Sequence, residues 1–236
     1  MKKNFIFLFF IFLKVFSYSD TIQLPDGSIY EGQIKEGKFN GFGFQKWDND
    51  YYYEGEFVNG VYEGEGKLKT STYYYEGNFS KGAFEGYGKI KYSNNIEYEG
   101  EFCKNLYEGK GKLSDDKGNV YVGNFKSNFY QGEGNLKYSN GDEYYGNFEN
   151  GYCEGNGIYV FNSGDKYVGE FKNGNFDGNG IIINKDGKEK KVLFKNGQIV
   201  KTKGIIRNIK LQDIYFVLLI FSILLNIILI TKKEKS

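Results

Sequence analysis

The chain has 236 residues, and its 31 basic and 30 acidic side chains leave a net charge of +1, so no overall field favours nucleic acid as a partner. Histidine is absent, which removes the commonest general base and metal ligand. Aromatic residues make up 19%, with 22 Tyr and 22 Phe.

Met1-Lys2-Lys3 precedes an apolar run from Phe5 to Leu13, interrupted by Lys14, and Ser17-Tyr18-Ser19 places small residues at −3 and −1 of a cleavage site. This is the pattern of a secretory signal peptide, a signal-like helix over residues 1–19. Nine apolar residues are too few to cross a bilayer comfortably. An uncleaved anchor and an untargeted cytosolic start are the alternatives. Residues 20–29 are expected to form a lead-in strand carrying Pro25, the chain's one proline, so nothing after it blocks strand hydrogen bonding.

From Tyr30 onward a Tyr-x-Gly step recurs at Tyr53, Tyr75, Tyr98, Tyr121, Tyr144 and Tyr167, every 22 or 23 residues. With each tyrosine as position zero, glycine stands at +2, +11 and +13 in all seven units, as Gly55, Gly64 and Gly66 do in the second. A fixed period of this size marks an array of one supersecondary unit whose copies bury apolar surface against their neighbours. Within the seventh unit, Tyr167 to Lys172 alternates ring and polar residues with period two, the signature of a half-exposed strand. Asn173-Gly174 then gives a tight turn, as do Asn59-Gly60, Asn150-Gly151 and Asn196-Gly197 at the same phase. The return strand runs from Gly178 to Ile183, and Asp186-Gly187 turns the chain onward. The predicted fold is all-β, an elongated antiparallel meander of hairpins.

Glycine inside a strand costs roughly 0.5–1 kcal/mol relative to alanine, so its recurrence needs a cause. Rings at 0, +4 and +9, such as Tyr75, Phe79 and Phe84, need flat backbone to lie against, and burying each stabilises by roughly 1.5–3 kcal/mol. The aromatic ladder is therefore expected to be core. Tyr53, Tyr75, Tyr98, Tyr121, Tyr144 and Tyr167 are also carried as a candidate interaction surface.

The run from Tyr53-Glu54-Gly55-Glu56-Phe57 through Asn59-Gly60 to Gly64-Glu65-Gly66-Lys67-Leu68 resembles the MORN repeat, whose pattern is Tyr-x-Gly-x-aromatic, x-x-Gly, then Gly-x-Gly-x-aliphatic. Seven units match in register, and an incomplete eighth follows at 190–197, with Val192 where glycine should stand, so the array is placed at residues 30–199. About 15 strands are expected, spanning roughly 70 Å at about 4.8 Å per strand. Asn105 and Asn128 replace the +7 glycine, a change asparagine tolerates because it adopts positive φ. The resemblance implies membrane tethering or scaffolding; its name also implies lipid recognition.

Residues 200–213 read as a basic juxtamembrane linker, in which Lys201, Lys203, Arg207 and Lys210 are candidate contacts for anionic phospholipid. Ile214 to Ile230 is apolar apart from Tyr215, Ser222 and Asn226, and covers about 26 Å as a helix. A β-meander offers nothing to bury such a helix in, so residues 214–231 are read as a single transmembrane helix with a short basic tail at 232–236. Four basic residues before it and three after give no orientation. The N-terminal segment therefore decides, and sends the repeats to the lumenal or extracellular side, with the cytosol as the alternative.

Cys103 and Cys153 lie two units apart, roughly 20 Å, too far for a disulfide. The carboxylate columns Glu31, Glu54, Glu76, Glu99 and Glu63, Glu85, Glu108 are read as a solvated outer face. No phosphate loop, nucleophile–histidine pair or Cys/His cluster is present, so catalysis has no candidate residues and no cofactor is expected. The expected function is a membrane-anchored, non-catalytic scaffold with a protein partner or a second copy of itself. A phospholipid-binding module is the alternative.

Overall fold

The computed structural model describes residues 20–203 except residue 49. These residues form one antiparallel sheet of seventeen strands, β1 to β17, in which each strand pairs with its neighbours in sequence. The lead-in is the short strand β1 (Asp20–Gln23), and seven hairpins follow. The eighth unit, expected to be partial, is a complete hairpin of β16 (Glu189–Lys195) and β17 (Gln198–Lys203). Its ladder needs only backbone groups, so the loss of glycine at Val192 does not prevent pairing. The signal-like helix at 1–19, the transmembrane helix at 214–231 and the tail lie outside the described residues. Among the described residues there is no helix long and apolar enough to cross a membrane.

Every hairpin closes through a two-residue turn with positive φ at both positions, the type I′ geometry that matches strand twist. Asn59 and Gly60 have φ of 52° and 84°, while Ser127 and Asn128 manage 50° and 72° without glycine. These turns also bind along the array. In seven successive cases the +7 amide donates to the +9 carbonyl of the preceding unit, as Gly82 does to Tyr62 at 2.9 Å. Each turn is thus clamped to the hairpin before it.

The structure divides the repeated glycines into two jobs. Gly55 (+2) and Gly66 (+13) sit opposite each other, and the ring of Tyr53 lies over both. A Cβ on Gly66 would fall 2.6 Å from the tyrosine Oη and 2.8 Å from Cε2. The +11 glycine serves a different need. Gly64 has φ of +63° and lies in a bulge where the pairing jumps from Gly55↔Gly66 to Glu56↔Glu63. Ring packing explains +2 and +13; backbone sign explains +11.

Candidate interaction surfaces

The six tyrosines carried as a surface are placed inside. Tyr53, Tyr75, Tyr98, Tyr121 and Tyr144 are 0% exposed and Tyr167 is 1% exposed, so none can meet a partner as the fold stands. Tyr53 stacks on Tyr62 at 3.7 Å, and Phe57 and Phe79 meet its edge at 5.0 and 5.2 Å. Since Phe79 belongs to the next unit, the ladder runs unbroken from repeat to repeat. Aliphatic side chains at +15, such as Leu68 and Ile90, pair across from the tyrosines and close its flank.

A buried phenol needs a hydrogen-bond acceptor, and the bulge provides one. Each of the seven hydroxyls donates to the carbonyl three residues on in its own strand, for example Tyr53 to Glu56 at 2.9 Å and Tyr144 to Asn147 at 2.9 Å. Burial pushes the hydroxyls of Tyr30 and Tyr167 up to about 12, and raises those of the five tyrosines between them as well. These groups stay neutral over the whole physiological range.

The carboxylates at +10 were expected to be a solvated column, and the structure gives them a structural task. Glu63, Glu85 and Glu108 accept the backbone N–H of the following unit's turn, from Lys81 at 2.8 Å, Lys104 at 3.0 Å and Ser127 at 2.9 Å. Glu154 and Asp177 do the same for Asn173 and Asn196, and the amides of Asn40 and Gln131 substitute in the remaining units. The Lys81 amide, then the Ser80 hydroxyl, hold the Glu63 carboxyl below its ordinary range. On the opposite edge, Asp142 and Asp165 accept from Asn162 and Lys185 in the same manner. Sequence reasoning missed these braces, although an acceptor side chain in every unit at +10 was their visible signal.

The lysines assigned to the linker begin inside the sheet. Lys201 is exposed on β17, opposite Leu193, and Lys203 pairs with Lys191 in the same ladder. With Lys190, Lys191 and Lys195 exposed on β16, the last hairpin forms a basic end to the array. Arg207 and Lys210 lie outside the described residues. Cys103 and Cys153 are both free, one half-buried and one buried, and burial pushes the Cys153 thiol up to about 11. Among the described residues, no three His, Cys, Asp or Glu side chains converge as a metal site would require.

The sequence profile of the MORN repeat matches residues 30–50, 53–72, 75–96, 98–120, 121–143, 144–166 and 167–189. No curated protein matches the chain. Among solved structures it is similar to the wild-type TCP10 domain of Danio rerio CPAP, with 12% identity over 81% of this chain and 99% of that one, at a TM-score of 0.43. It is also similar to the SAS-4 (dCPAP) TCP domain of Drosophila melanogaster, solved with a proline-rich motif of Ana2 (dSTIL). That likeness has 13% identity over 64% of this chain and 90% of that one, at a TM-score of 0.34.

Proposed function

We propose, from the premise that this chain belongs to the MORN repeat family, that it is a membrane-anchored, non-catalytic scaffold whose repeats hold a protein partner or a second copy at a set distance from the bilayer. The observation that carries this reading is the longitudinal bracing. Turn amides, +10 acceptors and the ring ladder all link each hairpin to the next, so the array behaves as one stiff sheet. Sixteen inter-strand steps give it roughly 77 Å along the hydrogen-bonding direction. Its last strand ends at Lys203, eleven residues before the apolar segment 214–230, which we read as the single membrane span. The signal-like N-terminus favours a lumenal or extracellular array.

Two measurements test this. Crosslinking in the native membrane is expected to trap the full chain in a discrete complex, and recovery of monomer alone would reject the scaffold. Protease added to intact vesicles is expected to spare a tag in the repeats, and digestion without detergent would place the array in the cytosol.

The basic end supports a second reading, recognition of anionic phospholipid. Lys190, Lys191, Lys195 and Lys201 are exposed in the last hairpin, which precedes in sequence the segment read as membrane-spanning, and with the array on the cytosolic side, where the leaflet is anionic, each lysine near the surface is worth about 1 kcal/mol. Flotation of residues 20–203 with anionic but not neutral vesicles is the expected sign, and absence of flotation would dismiss this reading.

A further inference from the structure

The +1 carboxylates belong to a longer row on the face opposite the tyrosine ladder. From β4 (Tyr52–Val58) to β9 (Leu106–Ser114), successive cross-strand partners are Glu54, Lys67, Glu76, Lys89, Glu99 and Lys112. The charges alternate without a break over six strands. Glu76, Lys89 and Lys112 are exposed, and the other three are half-buried. Phe44 on β3 (Lys38–Lys46) precedes the row, and Val122 on β10 (Val120–Lys126) follows it.

We infer that this face docks a second copy of the chain, with strand order reversed about a two-fold axis that runs parallel to the strands and passes between Glu76 and Lys89. The inference rests on the scaffold reading and names its partner. Charge complementarity carries it. Reversed, the row is its own complement: Glu54 meets Lys112 of the second copy, Lys67 meets Glu99, Glu76 meets Lys89, and the axis repeats each contact. Every contact joins opposite charges. A copy laid row on row with strand order kept, or slipped by one strand, would set like charge on like. Spacing along the row is the same in both copies. Packed sheets cross at about 30°, so the contacts nearest the axis, between Glu76 and Lys89, close best.

Attraction between neighbouring strands of one sheet would account for an alternating row by itself, but it does not require the flanking rows to agree. They do agree. On one side Lys69 meets Glu97 and Tyr74 meets Lys91; on the other Glu56 meets Lys110 and Asn78 meets Tyr87. Toward the turns Val58 meets Leu106, at 49% and 39% exposed, and Val61 meets Cys103. At the ends Phe44 meets Val122. Two like-charge approaches remain within the six strands. Glu65 faces Glu101, whose carboxylate is turned onto its own sheet and accepts the Lys110 amide at 3.3 Å. Lys81 lies in the turn on the axis and approaches its own copy at the exposed rim, where solvent screens it. Exposed ion pairs are worth little, so the charges set the register and the apolar contacts supply affinity. From β3 to β10, eight strands of at least seven residues present roughly 800 Å², the share one partner gives to a standard interface.

The test is the molar mass of the full chain in mild detergent over a concentration series, read by light scattering. A reversible dimer is expected, weaker as salt is raised. Glu76→Lys and Lys89→Glu each place two like-charge contacts on the axis, and each should weaken the dimer by about tenfold or more. The two side chains are 57% and 50% exposed, so the variants keep the fold. Mixed together, the two variants restore opposite charges across the axis and should pair with each other about as tightly as the unaltered chain pairs with itself. Three outcomes would overturn the inference: an unaltered chain that stays monomeric, dimers indifferent to either reversal, as contact through residues 214–230 alone would give, or no rescue on mixing. If it is overturned while crosslinking in the native membrane still traps the chain with a different protein, the scaffold stands. Loss of every crosslink removes the scaffold as well.

Discussion

The first five repeats and the last two solve the same packing problem differently. In the first five, the tyrosine at position zero stacks on the +9 ring at 3.7 or 3.8 Å, with interplanar angles from 8° to 13°. In the sixth, Cys153 stands where that ring should be, and in the seventh Tyr167 and Phe176 tilt to 54° at 4.6 Å. The sixth unit also departs at +15, where Tyr159 replaces the usual aliphatic side chain. The two exceptions compensate. Tyr159 lies across from Tyr144, packs on Phe161 and Phe176 and donates to Asp142 at 2.8 Å, while Tyr138, tilted against Tyr159 at 5.9 Å, meets the Cys153 thiol, so neighbouring rings already crowd the +9 place.

The most severe way to probe that difference is to crowd the tyrosine from below. In Gly111→Ala the new Cβ would lie 2.6 Å from Tyr98 Oη, and in Gly157→Ala it would lie 2.7 Å from Tyr144 Oη. Tyr98 is clamped from above by Tyr107 at 3.8 Å, whereas Tyr144 has only the Cys153 side chain at that position. Gly111→Ala should therefore cost about 3 kcal/mol in denaturant unfolding and Gly157→Ala roughly half as much. Equal losses would mean that the +9 ring does not restrain the tyrosine.

The exchange of volume makes a prediction of opposite signs. Cys153→Phe restores the common +9 ring but meets space already taken, so alone it should destabilise by about 1–2 kcal/mol. Added to Tyr159→Leu, which restores the usual +15 residue, it should recover most of that loss. A double-mutant cycle then shows favourable coupling of about 1 kcal/mol or more. Additive single effects would break the account of the sixth unit. A smaller comparison should show no difference between the regions. Tyr98→Phe and Tyr144→Phe each remove a hydroxyl that donates to its own strand's carbonyl, at 2.8 and 2.9 Å, and each should cost about 1 kcal/mol.

Much of this was legible in the residues because glycine encodes backbone directly. The +2 and +13 glycines fixed the ring's bed, and the Asn-Gly steps fixed the turns, so the meander and its register followed. The eighth hairpin was harder to see because Lys190 and Val192 stand where tyrosine and glycine should be, while its ladder rests on backbone groups alone. The +10 braces were hidden for a different reason. A glutamate that accepts an amide 19 residues later has the same local sequence as one facing water. The tyrosines were identified correctly as core and wrongly as surface, since a ring-on-glycine stack hides both of the faces that a binding ladder would show. The lipid candidates split at the sheet's edge, with Lys201 and Lys203 in β17 and the others beyond it.

A pH series also separates the two regions. Burial raises the Cys153 thiol from an ordinary 9.0 to about 11, and raises the hydroxyls of Tyr30, Tyr130 and Tyr167 from 10.0 to about 12. In both cases the folded state holds the proton more tightly than the unfolded chain. The stability each group contributes is therefore complete below its unfolded value and is lost as pH rises toward its folded value. The sixth unit should begin to weaken from about pH 9, and the tyrosine ladder from about pH 10. Urea midpoints followed from pH 8 to 11 are expected to decline in those two stages. In Cys153→Ala the first stage should vanish while the second remains, and an unchanged first stage would mean that some group other than the thiol governs it.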